Sequence, residues 1–127
     1  MPVRALRGAT TVEADTERDI RDRVGALVAA LLERNDLATD AVISAVVTAT
    51  KDLRSYHPAT AARAAGLTDV PILGAQELDI NGMLPRCVRV LLHIETGRSK
   101  AEIEHVFLEG AVVLRPDLVR PDAGPGR

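Results

Sequence analysis

The sequence predicts a single small domain of the α/β (α+β) class, with a mixed β-sheet of about five strands, one long helix and one or two short ones. Three observations predict it. The chain has 127 residues, enough for one compact core. One long stretch repeats apolar residues at helical spacing, whereas several shorter stretches are β-branched and almost continuously apolar. Apolar residues make up 46% and charged residues 27%, the balance of a globular chain that can fill a core.

Residues 2–8 read as the first strand, with Val3, Ala5 and Leu6 as apolar members and Arg7 and Gly8 closing it. Thr16 is a good helix N-cap, and Glu17 and Asp19 fall in the first turn, where the helix dipole favours acids. Ile20, Val24, Leu27, Val28, Leu31 and Leu32 then form one apolar stripe, and Asn35 ends the helix. Residues 41–50 are β-branched and apolar nearly throughout, as in a strand buried on both faces. Pro58 opens a short alanine-rich helix that stops at Gly66, a C′ glycine. Val70 to Ala75 and Val88 to Ile94 are further strands, the second broken only by Arg89. Ser99 opens a short helix or turn, with Glu102 as its capping-box partner. Residues 105–114 return to strand character. The domain covers residues 1–127, of which 118–127, rich in Pro and Gly, are expected to be a flexible tail.

One helix and a fragment cannot cover both faces of so apolar a sheet, and uncovered sheet faces mark association surfaces. A homo-oligomer is therefore expected from packing alone. With Tyr56 and Phe107 as the only aromatic residues, Val, Leu, Ile and Ala must fill the core. The net charge of −2 argues against non-specific nucleic-acid binding, which needs a basic surface. No apolar run approaches the ~20 residues of a membrane span, and the first residues do not read as a signal peptide. The single cysteine, Cys87, allows no intrachain disulfide, so a reducing, cytoplasmic location is expected.

The usual catalytic motifs are missing. His57, His93 and His105 share no metal-ligand spacing with each other or with Cys87, so no metal is expected. There is no phosphate-binding glycine loop, no dinucleotide fingerprint and no nucleophile elbow, so no cofactor is expected either. Ser44 and Ser99 lack a triad context, and Cys87 inside an apolar strand reads as a small hydrophobe. What stands out is charge beside apolar strands. Arg89 lies between Val88 and Val90, Glu77 follows a strand, Arg7 closes one, and Arg115 follows Val112-Val113-Leu114. Such charges cost several kcal/mol unless paired or functional. Two readings remain open: an Arg–Glu ion pair inside an oligomer interface, or a pocket for a small dianion.

Six ordered blocks resemble the AroH-class chorismate mutases along roughly residues 3–118. They are Arg4-Ala5-Leu6-Arg7-Gly8-Ala9-Thr10-Thr11-Val12-Glu13; Ala49-Thr50-Lys51-Asp52-Leu53 with Pro58-Ala59; and Val70-Pro71 leading to Gln76-Glu77-Leu78-Asp79. The others are Arg86-Cys87-Val88-Arg89-Val90, His105-Val106-Phe107-Leu108-Glu109 and Ala111-Val112-Val113-Leu114-Arg115-Pro116-Asp117. The resemblance implies a homotrimeric pseudo-α/β-barrel with active sites in clefts between subunits. It implies conversion of chorismate to prephenate, a step of aromatic amino acid biosynthesis, by a concerted [3,3] shift without metal or cofactor.

By the same resemblance, Arg89 donates to the breaking ether oxygen and a carboxylate, Arg7 binds a carboxylate, and Glu77 accepts from the ring hydroxyl and helps fix Arg89. Arg63 and Arg115 sit near the cleft mouth and tail, and Leu73, Gly74, Ala75 and Gln76 line the pocket with Phe107. His57, Ala59, Thr60 and Leu114 belong to the cleft wall. The chain departs from the family pattern at Phe107, where tyrosine is usual, and at His57, Thr60 and Gly74, where phenylalanine, lysine and a cysteine- or serine-like residue are common. These departures bear on grip and substrate preference. They leave two alternatives to the mutase: a diverged paralogue that binds chorismate or prephenate without turnover, and an enzyme for a related enolpyruvyl dianion.

Overall fold

A computed structural model describes residues 1–114. The elements are β1 (Val3–Thr11), α1 (Glu17–Arg34), β2 (Val42–Ala49), α2 (Pro58–Ala64), β3 (Ile72–Gln76), β4 (Cys87–Glu95) and β5 (Val106–Phe107). Short 3-10 turns at Thr39–Ala41 and Glu109–Val113 complete them. The strands form one sheet in the order β3-β2-β4-β1-β5. β4 lies antiparallel to both β1 and β2, whereas β2–β3 and β1–β5 pair in parallel. Parallel neighbours need a crossover, and α2 supplies it between β2 and β3.

The long helix forms for the reasons its sequence gives. The Thr16 hydroxyl accepts from the Asp19 N–H at 3.1 Å, capping the first turn. Ile20, Val24, Leu27, Val28 and Leu31 are buried, and Leu32 packs partly buried at the stripe's edge. The stripe lies on Leu6, Val90, Leu92 and Ile94 of the sheet. Gly8 lets the helix sit this close: a Cβ there would come within 2.9 Å of Leu31 Cδ1. At the helix end, buried Asn35 ties two segments together. Its Nδ2 donates to the Leu31 carbonyl at 2.8 Å and the Glu104 carbonyl at 2.9 Å, while its Oδ1 accepts from the Glu104 N–H at 2.7 Å. The α1 terminus is thereby joined to the segment entering β5. Gly66, after α2, takes φ +129°, the left-handed conformation expected of a C′ glycine.

Strand register sorts the side chains onto two faces. Leu6, Gly8, Val47, Val88, Val90 and Leu92 face the helices. Alternation places Ala5, Arg7, Ala9, Ser44, Val46, Thr48, Arg89, Leu91 and His93 on the other face, which no element of the described chain covers in the way α1 covers the first. Residues on this open face are mostly half-buried, and Val3 and Leu73 are largely exposed.

Four local expectations change. The first strand continues past Gly8 to Thr11, because Thr10 and Thr11 keep pairing with Val88 and Cys87. The third strand begins at Ile72 and runs to Gln76. β2 is not buried on both faces: Val42, Ala45 and Val47 are buried, but Ser44, Val46 and Thr48 are half-buried, since only one face carries helices. Residues 105–114 form only the short strand β5, after which Glu109, at φ +52°, turns the chain into a 3-10 segment. Ser99 opens a turn, with its N–H donating to Glu102 Oε1 at 2.8 Å. The proposed tail, 118–127, lies outside the described residues.

The Asn35 link yields a measurable consequence. Asn35→Ala removes three hydrogen bonds that join two segments and is expected to lower unfolding free energy by about 2–4 kcal/mol. Urea denaturation at fixed protein concentration measures it, and a loss below ~0.5 kcal/mol would show that the link does not hold the helix end.

Candidate active site

Three strands set the charged cluster on the open face. Arg89 of β4 stands opposite Ala9 of β1 and Thr48 of β2. Arg7 lies two residues before Ala9 and so shares its face. Beyond β3, the Glu77 N–H donates to the Ala49 carbonyl at 2.9 Å, so strand-like pairing runs one residue further. That extension keeps Glu77 in phase with Ala75, the register partner of Thr48. A loop acid is thereby placed beside a central arginine.

Arg89 Nε lies 3.4 Å from Glu77 Oε2, with the two side chains 33% and 17% exposed. The approach is an ion pair without an aligned hydrogen bond: the Arg89 N–H at Nε is buried and has no acceptor among the described residues. The same Oε2 instead accepts from the Thr48 hydroxyl. The Arg7 backbone N–H donates to His105 Nδ1 at 2.9 Å, which holds that part of β1 to the segment before β5. These groups surround a cavity of about 260 Å³, walled by Arg7, Ala9, Val46, Thr48, Glu77, Arg89, Leu91, Phe107 and Leu114. The Phe107 ring is buried in a small cluster with Ala9 and Ala111, so its apolar body forms the wall. Two arginines against one carboxylate leave the cavity positive, suited to an anion with more than one carboxylate.

Burial pushes the Cys87 thiol above its ordinary pKa, against a smaller opposing effect of Arg89, so it stays a protonated hydrophobe at neutral pH. Among the described residues, no group of three His, Cys, Asp or Glu side chains could hold a metal ion.

A second concavity, of about 370 Å³, opens on the helix-bearing side at the β3 edge. His57, Ala59, Gly74, Ala75 and Gln76 line it together with Arg54 and Lys51. The larger hollow thus lacks the arginine–glutamate pair, and the chemistry points to the smaller one. Within one protomer, Arg7, Glu77, Arg89, Phe107 and Leu114 come together, and His57, Ala59, Gly74, Ala75 and Gln76 form a separate group. Arg63 is exposed on α2, Thr60 is half-buried there, and Leu73 stands 67% exposed on the edge strand; none lines either hollow. Arg115 lies outside the described residues. Sequence reasoning missed Thr48, Val46, Leu91 and the ring of His105. Thr48 alternates in phase with Val46, but only the register opposite Arg89 reveals its neighbours.

Residues 3–118 match the family described as chorismate mutase type I. Chorismate mutase AroH of Bacillus subtilis is 41% identical over 119 residues, covering 93% of this chain and 94% of that protein. Chorismate mutase AroH of Thermus thermophilus is 44% identical over 117 residues, 91% of this chain and 96% of that protein. Among solved structures, a chorismate mutase from Clostridium thermocellum superposes with a TM-score of 0.83 at 41% identity, covering 87% of this chain and 98% of that one. With the fold and the length of the match in agreement, the chain belongs to the chorismate mutase type I family.

Proposed function

We propose that the chain converts chorismate to prephenate in the cavity on the open sheet face, by arginine-based electrostatic stabilisation of a concerted [3,3] rearrangement. The observation that carries this reading is Arg89, held beside Glu77 in a cavity it shares with Arg7. The reaction breaks an ether bond as a carbon–carbon bond forms, and no proton need move. The protein must hold a compact, chair-like conformer of a dianion and stabilise negative charge building on the ether oxygen. Arg89 suits the second task, because a guanidinium stays charged and offers several donors from a planar fork. Arg7 binds a carboxylate across the cavity. Glu77 accepts from the ring hydroxyl and holds Arg89 in place.

The second concavity fits as the complement of the first. A neighbouring copy that covers the open face would bring His57, Ala59, Thr60, Arg63, Leu73, Gly74 and Ala75 towards the cavity of its partner, with Gln76 at the rim. This supports a homotrimer with sites between subunits. Leu114 borders the cavity, and the family resemblance assigns Arg115 to the same cleft. No helix among the described residues is long and apolar enough to cross a membrane, which fits a cytoplasmic enzyme.

Loss of chorismate absorbance on adding purified protein tests the reading. Catalysed loss with prephenate as product is expected. Binding by calorimetry without acceleration would favour a non-catalytic binder, and faster turnover of another enolpyruvyl dianion would redirect the substrate.

Two variants probe the mechanism. Arg89→Lys shortens the side chain and removes the fork, so kcat/KM should fall by roughly 100-fold or more, as for loss of a well-placed oxyanion donor; near-normal turnover would remove Arg89 from its role. Phe107→Tyr adds a hydroxyl to a ring walling the cavity and should lower KM, since a hydrogen bond to a charged group contributes about 1.5–3 kcal/mol. A raised KM would show that the cavity is packed around phenylalanine.

A further inference from the structure

We infer that Thr48 is a positioning residue for the reaction: its hydroxyl holds the Glu77 carboxylate in the one orientation that leaves the Arg89 guanidinium available to the ligand. The inference rests on the reading of this cavity as the active site. Thr48 is the penultimate residue of β2, directly opposite Arg89 on one side and Ala75 on the other. From there its hydroxyl donates to Glu77 Oε2, the oxygen that also approaches Arg89.

A carboxylate beside an arginine has a strongly favoured alternative: two parallel hydrogen bonds in a fork-to-fork pair. That pair would consume two guanidinium donors and both carboxylate oxygens. The observed geometry avoids it. Oε2 is engaged by Thr48, Arg89 Nε stands 3.4 Å away without an aligned hydrogen bond, and Oε1 has no hydrogen-bond partner of its own among the described residues. A threonine hydroxyl has one proton to give, and here the acid receives it. Glu77 is therefore held as a single-oxygen neighbour of Arg89, with Oε1 left to accept from a ligand hydroxyl. Without the Thr48 hydroxyl, the carboxylate is free to rotate onto the guanidinium and close the fork. β-Branching at Thr48 also restricts its own χ1, so the hydroxyl is presented from a stiff strand residue.

The test compares steady-state constants for chorismate in the wild type, Thr48→Val, Thr48→Ser, Glu77→Gln and the Thr48→Val/Glu77→Gln double variant. Thr48→Val keeps the shape and removes the donor, and kcat/KM should fall about 10-fold or more, chiefly in kcat because the donors withdrawn act on developing charge. Thr48→Ser restores the hydroxyl and should return activity to within about threefold of wild type, and adding Thr48→Val to Glu77→Gln should cost less than about twofold, since Thr48 acts through Glu77. Unchanged activity in Thr48→Val, or an equal loss from it in both backgrounds, would overturn the inference. A crippled Glu77→Gln beside a fully active Thr48→Val rejects the role of Thr48 alone. Wild-type turnover in Glu77→Gln rejects the site reading and this inference with it. Melting curves confirm folding, and Thr48→Ala supplies the same comparison should the valine variant not fold.

Discussion

A charged pair on a sheet face that no described helix covers is the constraint from which the rest follows. Arg89 is carried by a central strand whose neighbours Val88 and Val90 are buried beneath the helices. The alternation that buries those valines forces Arg89 out onto the opposite face. There its partly desolvated charge is costly unless an anion lies close. Glu77 meets that need only in part: 3.4 Å, with no aligned hydrogen bond, is an ion pair short of its best geometry. An incompletely satisfied cation beside a cavity is a poor stabilising device and a good anion receptor. The helices cover just one side of the sheet, and the proposed function gives the other side to the ligand and to further copies of the chain.

The same constraint explains which parts of the chain were legible in the sequence. α1 could be read almost residue by residue, since its cap, its acidic first turn and its apolar stripe are all local signals. Arg89 and Glu77 were legible as anomalies, one interrupting an apolar strand and the other following one. Recognition of ordered motifs then joined them into one reaction. β2 misled because near-continuous apolarity signals burial without saying what does the burying. Its second face is half-open within the protomer. The segment 105–114 misled because Val112, Val113 and Leu114 look like a strand, whereas Glu109 in a left-handed conformation diverts the chain beforehand. Thr48 was invisible for a different reason: an unremarkable strand threonine gains meaning only from the residues in register beside it.

The two hollows bring a further physical point. Residues that the family resemblance assigns to one cleft line, in a single chain, two separate hollows. In the proposed assembly the two groups would meet across copies. Association would then complete the site as well as cover apolar surface, tying activity to assembly. A closed ring of identical copies serves this directly, because each chain offers one half-site to each neighbour.

Mixing two inactive variants tests that central claim most directly. Arg89→Ala removes the charged half, and Gly74→Trp fills the second hollow at a position where a Cβ meets only ordinary contacts. Co-refolded in equal amounts, they should recover about a quarter of wild-type turnover, the fraction of interfaces in a randomly mixed ring that pair two unaltered halves. No recovery in mixed assemblies verified by native mass spectrometry, or full activity of Gly74→Trp alone, would contradict a site shared between copies.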